Sequence, residues 1–278
     1  MTTATASLVD EYLETHPETR TAVHCGLQGT FPSGDDLVDS HLVPMIAWVY
    51  EQIRELVNPA ELNRAQAALY IEQLSVFARH NAQFLRRSCN SVEGYLPELA
   101  HELYRNFLEE GGERGKVPAH YVLYSNALLS DLGLLVNGKL ALPETQLLLQ
   151  AHQLMVDSHM PSLICGGYYA TEGVAIAETE ILYEITNRYG DLTGAGTGDQ
   201  LKALNYYYQL HLDQDHDAAT VEGLSVEAAH IEGIARFIRA SELFHVDIPQ
   251  ALDGFLTILQ AMANWWTQLA ERSQEMTE

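Results

Sequence analysis

Three stretches of the chain combine carboxylates with histidines at spacings that suit a metal ion. His211-Leu-Asp-Gln-Asp215 sets an imidazole and a carboxylate four residues apart. On a helix both share a face and can reach one divalent cation. The plainer alternative is a solvated His–Asp pair, because Asp213, His216 and Asp217 make the run polar. Asn106-Phe-Leu-Glu109-Glu110-Gly111-Gly112 ends a helical pattern in acids, and Pro118-Ala-His120 opens the next. The turn between them can bring Glu110 and His120 to one point; an acidic helix end beside a capping histidine is the alternative. Tyr169-Ala-Thr-Glu172-Gly-Val-Ala-Ile-Ala places Glu172 among small and apolar residues. A carboxylate buried there without a partner costs on the order of several kcal/mol, which a metal would offset. Glu178, Glu180 and Glu184 read as the solvated face of the same helix.

The elements that must position these groups are helices. Leu42, Ile46, Val49 and Ile53 recur at helical spacing until Asn58-Pro59 stops them,. Helices are predicted over about 62–87, over 97–110 up to Gly111-Gly112, and from Pro118 to Gly133. Pro143 opens another, with Leu147, Leu148, Leu149 and Leu154 as its core face. A long helix over 160–189 begins with Gly166-Gly167, where a second backbone or a ligand can come close. The glycines of 190–198 follow no strand, so they form no phosphate loop. A helix carries Asn205 to Glu222, Ser225 caps the next, and Ile248–Arg272 is the last. No period-2 alternation persists, so the expected class is all-α. Residues 1–40 read as a partly irregular extension with one short helix near Val9–Glu14, and 41–278 as one helical domain.

Composition narrows the partners. Apolar residues make up 47% of 278, enough for a large core, and the net charge is −23,. Phosphate neutralisation needs clustered Lys and Arg, so nucleic acid and anionic membranes are excluded as partners and a small molecule is favoured. No apolar run reaches membrane-spanning length and no secretory signal precedes residue 16. Three scattered cysteines without a CxxC suit reduced thiols in the cytoplasm,. Trp265-Trp266 suits packing of the last helix or a homodimer face.

Taken in order, Glu109-Glu110, His120, Tyr169-Ala-Thr-Glu172 and His211-x-x-x-Asp215 resemble the haem-oxygenase-like diiron oxidases and oxygenases, helical bundles of the TenA and CADD kind. The resemblance spans roughly residues 45–270. It implies a haem-oxygenase-like multi-helix bundle in which Glu110, His120 and His211 hold one iron. Glu172 would be the catalytic bridging carboxylate and Asp215 a ligand of the second iron. The closing histidine of that pattern falls on Ala218 here. Glu222, seven residues past Asp215, is the substitute ligand on the same face, and Glu109 is an alternative to Glu110. The resemblance further implies two Fe(II) ions, or manganese in their place, and O₂ as co-substrate. They would share reduction of O₂ to a bridging peroxide that attacks an amino-acid-like or fatty-acid-like substrate, with an external reductant.

Two other readings compete. A ferritin-like site uses Glu-x-x-His pairs, and the chain has Glu98-x-x-His101, Glu227-x-x-His230 and Glu242-x-x-His245. That is a mild excess over chance, and no matching pair of lone glutamates accompanies it. A metal-free, thiaminase-like hydrolase or binding protein on the same fold would use Cys165 as nucleophile; an inert buried cysteine is the alternative.

Overall fold

The computed structural model describes residues 7–31, 33–112, 118–212 and 226–276, and they form an all-α protein with no strand among them. In chain order the helices are α1 (Leu8–Thr15), α2 (Pro17–Leu27), α3 (Gly34–Leu37), α4 (Val43–Val57), α5 (Arg64–Val92), α6 (Pro97–Gly111) and α7 (His120–Leu132). They continue as α8 (Pro143–Asp157), α9 (Pro161–Thr193), α10 (Lys202–Leu212), α11 (Val226–Arg239), α12 (Ser241–Phe244) and α13 (Ile248–Glu275). None of these helices is long and apolar enough to cross a membrane.

The boundaries follow local chemistry. Asn58 takes a left-handed conformation with φ 40° and ends α4 as its C-cap, as Gly133 does for α7 with φ 64°,. Asn63 and Gln66 close a capping box at the start of α5,. Proline opens α6, α8 and α9 at positions where its missing N–H costs nothing,.

Helix α9 is the axis of the bundle and packs against α13, α5, α11 and α4. The α9–α13 contact is backbone to backbone. A Cβ on Gly166 would lie 1.7 Å from the Ala251 carbonyl oxygen, and one on Gly254 would lie 2.0 Å from that of Leu163. Of the glycine pair predicted to admit a close neighbour, Gly166 therefore admits the α13 backbone, while Gly167 makes room for Met155 of α8, whose Sδ would lie 2.0 Å from a Cβ there. Gly166→Ala is expected to destabilise the fold by about 1–3 kcal/mol or more, because backbone cannot yield as a side chain does. Thermal denaturation against wild type measures it.

Two expectations differ from the structure. Residues 8–42 are largely helical, and Val9, Tyr12 and Val23 join the main hydrophobic core, so one short helix was too few. On α8, Leu147 and Leu154 are exposed, while Thr145, Leu148, His152 and Met155 face inward. The buried His152 has Nδ1 3.0 Å from the Leu148 carbonyl and Nε2 3.2 Å from the Thr171 hydroxyl, a satisfied core histidine.

Candidate metal centre

Two groups of three ligand-bearing side chains meet where α6, α7, α9, α10 and α11 come together. Glu110, His120 and His211 form one, and Glu172, Glu227 and His230 the other; within each, one donor atom per residue lies within 4.8 Å of the others. Glu110 ends α6 and His120 begins α7, and His120 Nδ1 lies 3.2 Å from both Glu110 Oε1 and His211 Nε2. His211, in the last turn of α10, has Nδ1 2.7 Å from the Tyr207 carbonyl. A carbonyl only accepts, so Nδ1 carries the proton and the Nε2 lone pair faces the cluster.

In the second group Glu172 comes from the middle of α9, and Glu227 and His230 from the first turns of α11. His230 Nδ1 lies 3.4 Å from Glu172 Oε2 and 3.9 Å from Glu227 Oε2. The other oxygen of Glu227, Oε1, is 3.7 Å from His211 Nε2, so this carboxylate reaches both groups. His230 is fully buried, and Glu172 and Glu227 are each 4% exposed.

The far nitrogen of His230 is held from behind. Its Nε2–H donates to Glu109 Oε2. Arg105 reaches Glu109 at 3.7 Å and Glu102 at 3.0 Å through Nε, and Arg236 meets Glu102 at 3.2 Å. Gly233 leaves the space for Glu102, since a Cβ there would lie 2.1 Å from its Oε1.

A family model described as a domain of unknown function with solved structure, DUF3865, matches residues 52–272. The chain belongs to the DUF3865 family. Two crystal structures, at 2.00 and 1.35 Å resolution, of a CADD-like protein of unknown function from Nostoc punctiforme PCC 73102 share the fold of this DUF3865 chain. Their TM-scores are 0.64 and 0.62 at 21% identity, covering 92% and 94% of this chain and 99% of theirs. No curated protein matches the DUF3865 chain.

Of the sequence-predicted ligands, Glu110, His120 and His211 meet in the first group, and Glu172 stands in the second. Asp215 and Glu222, like Ala218 and His216 beside them, lie outside the described residues. Glu109 faces His230 rather than replacing Glu110. Glu227 and His230, in sequence one of three Glu-x-x-His matches in mild excess over chance, stand in the second group. What separates them from the other two matches is burial, since Glu98, His101, Glu242 and His245 are all exposed.

The electrostatics are those of a cation site filled with protons. Burial opposes a charge on His230, but Glu109, Glu172 and Glu227 hold its pKa well above the ordinary value. Burial likewise opposes His120, and Glu110 followed by Glu227 raises it. His211 is pushed down to about 4 by burial and by the charge of His120. Burial would raise Glu110, yet His120, His211 and His230 keep it below the usual carboxylate range. Glu227 is raised by burial, with Glu110 and Glu172 adding to the effect against the pull of His230.

The residues fit a metal on two counts. Glu172 Oε1 and His230 Nδ1 are buried and lack a hydrogen-bond partner, an arrangement that costs stability unless something else binds them,. Carboxylate oxygen with imidazole nitrogen is also a donor set suited to iron or manganese. Because an orienting partner fixes a ligand histidine, Glu109→Gln is expected to weaken binding of one ion about 10–100-fold and spare the other. Equilibrium competition with a chelator, read separately for the two ions, checks it.

Proposed function

We propose that this protein is an O₂-dependent non-haem diiron oxidase or oxygenase acting on a small organic substrate. The observation that carries the reading is the pairing of two carboxylate–imidazole groups joined by Glu227, buried inside a helical bundle of CADD-like fold. Iron held there would supply dioxygen activation, since carboxylates and imidazoles leave coordination positions open. Glu110, His120 and His211 would hold one ion, Glu172 and His230 the other, with Glu227 between. The protein's part is to fix these donors, through the Tyr207 carbonyl behind His211 and Glu109 behind His230, and to keep bulk water out.

The rival reading, a metal-free hydrolase using Cys165, lacks support. Cys165 is fully buried, and burial pushes its thiol up to about 12, far from a reactive thiolate,. Cys165→Ala is expected to leave Fe(II) loading and oxygen consumption at the wild-type level, measured by metal analysis and an oxygen electrode.

Anaerobic Fe(II) titration followed by oxygen exposure under optical spectroscopy tests the proposal. Two tightly bound equivalents and a transient visible band are expected. No stoichiometric iron, or iron that oxygen leaves unchanged, would sink it.

A further inference from the structure

Among the described side chains of α11, the large buried apolar ones all lie beyond Gly233: Ile234, Phe237 and Ile238. The half that carries Glu227 and His230 offers the core no larger apolar group than the half-buried Ile231. A polar seam holds that half against α6. Glu102, Arg105 and Glu109 share one face of α6, and Ala229, His230, Gly233 and Arg236 share one face of α11,. Glu109 accepts from His230 Nε2–H, and Arg105 Nη2 donates to the Ala229 carbonyl at 3.2 Å. Glu102 Oε2 accepts from Arg236 at 3.2 Å, and its Oε1 accepts from Arg105 through Nε at 3.0 Å and through Nη2.

Glu102 is 5% exposed, and it fits there because Gly233 has no side chain. A Cβ at Gly233 would lie 2.1 Å from Glu102 Oε1, 2.6 Å from its Cδ and 3.0 Å from Arg105 Nη2. A glycine inside a helix costs about 1 kcal/mol against alanine. Here that cost gives a buried carboxylate its seat. The seat decides what Arg105 does. With Glu102 in place, the guanidinium is committed to Glu102 and the Ala229 carbonyl. It stands 3.7 Å from Glu109 Oε1 and leaves Glu109 Oε2 to His230. Without Glu102 the same guanidinium can close on both oxygens of Glu109, the geometry a guanidinium favours with a carboxylate.

We propose that Glu102, seated against Gly233, is a positioning residue for the second group of ligands. It keeps Arg105 from taking over Glu109, so that Glu109 stays with His230. Through Arg236 it also ties α11 to α6, so that Glu227 and His230 keep their distance from Glu110. Glu102 acts through Arg105 and Glu109 and supplies no donor atom to the centre. The clamp belongs to the metal-free fold; its effect on a bound ion rests on the diiron reading.

Gly233→Ala and Glu102→Gln test it in two steps. Gly233→Ala displaces only the end of a flexible side chain, so the protein folds, and helix propensity alone would slow amide exchange in α11. The clamp predicts the reverse. In both metal-free variants the amides of residues 227–233 should exchange about 3–10-fold faster than in wild type, read by mass spectrometry, as loss of a charged hydrogen bond outweighs the propensity gain. Each protein is then titrated with Mn(II) and followed by electron paramagnetic resonance. Both variants should weaken the ion held by Glu172 and His230 about 10-fold and spare the other, so that the signal of a coupled pair gives way to that of an isolated ion. General destabilisation would weaken both ions alike. The double variant should bind no worse than the weaker single one, since both changes break one contact. Exchange equal to or slower than wild type in either variant would overturn the proposal. So would manganese binding that is unchanged, or evenly weakened, in the folded variants. A wild type that holds no manganese counts against the diiron reading alone, and the exchange result still decides the clamp.

Discussion

His230→Ala is expected to bind one Fe(II) where the proposed diiron centre gives the wild type two, and its metal-free form is expected to be less stable. Among the described residues the ring is one of two buried imidazole groups that face Glu227, with Nδ1 3.9 Å from Oε2 while His211 Nε2 lies 3.7 Å from Oε1. Alanine leaves Glu172 and Glu227 facing each other without the cation that balances them, and strips Glu109 of its donor. Removing one partner of a buried charged pair costs about 3–5 kcal/mol, because the remaining charge stays desolvated. The Glu110, His120 and His211 group comes from α6, α7 and α10 and keeps all its donors, so one equivalent persists. His101→Ala, in an exposed Glu-x-x-His on α6, is the matched control and should change neither quantity. Metal analysis after anaerobic loading, with thermal melts of the metal-free proteins, decides it. Two equivalents retained by His230→Ala would remove Glu172, Glu227 and His230 from the site.

What could be read from the sequence divides along physical lines. Helix existence and stops were legible because they are local: Asn58 before a proline, Gly133 in the left-handed region, and the apolar spacing of α4. The inward face of α8 was not, because leucines occupy several phases of that helix and its buried stripe also carries Thr145 and His152. Glu110, His120, Glu172 and His211 could be singled out because each stands in an unusual local setting, a carboxylate in an apolar run or an imidazole beside aromatics. Glu227 and His230 carry no such mark. Their meeting with Glu172 depends on how α11 packs on α9, which spacing along one helix cannot report. A pattern that closes with His211-x-x-x-Asp215 also has no place for α11, whose Glu227 and His230 stand in the second candidate group.

The difference in melting temperature between metal-loaded and metal-free protein should widen as pH rises from 6.5 to 7.5. In the metal-free protein His120, His230 and Glu227 all have pKa values above their ordinary ones. Over that interval the folded state therefore holds protons that the unfolded chain has released. Stability changes with pH as the protons bound unfolded minus those bound folded, so the slope is negative and the metal-free fold weakens as pH climbs. The depressed groups do not reverse this: His211 and His152, both at about 4, oppose it only through the protons their unfolded imidazoles still carry near pH 6.5, and Glu110, below the carboxylate range, is ionised in both states. With metal bound the same donors are already deprotonated, and loading grows more favourable as fewer protons must be expelled. Each proton is worth about 1.4 kcal/mol per pH unit, or roughly 3–6 °C for a domain of this size. Melts at fixed free Mn(II), which resists oxidation by air, give the measurement. Calorimetric loading in buffers of different ionisation enthalpy counts the protons independently. A gap that stays constant, with no proton released, would mean that His120, Glu227 and His230 do not bind the metal.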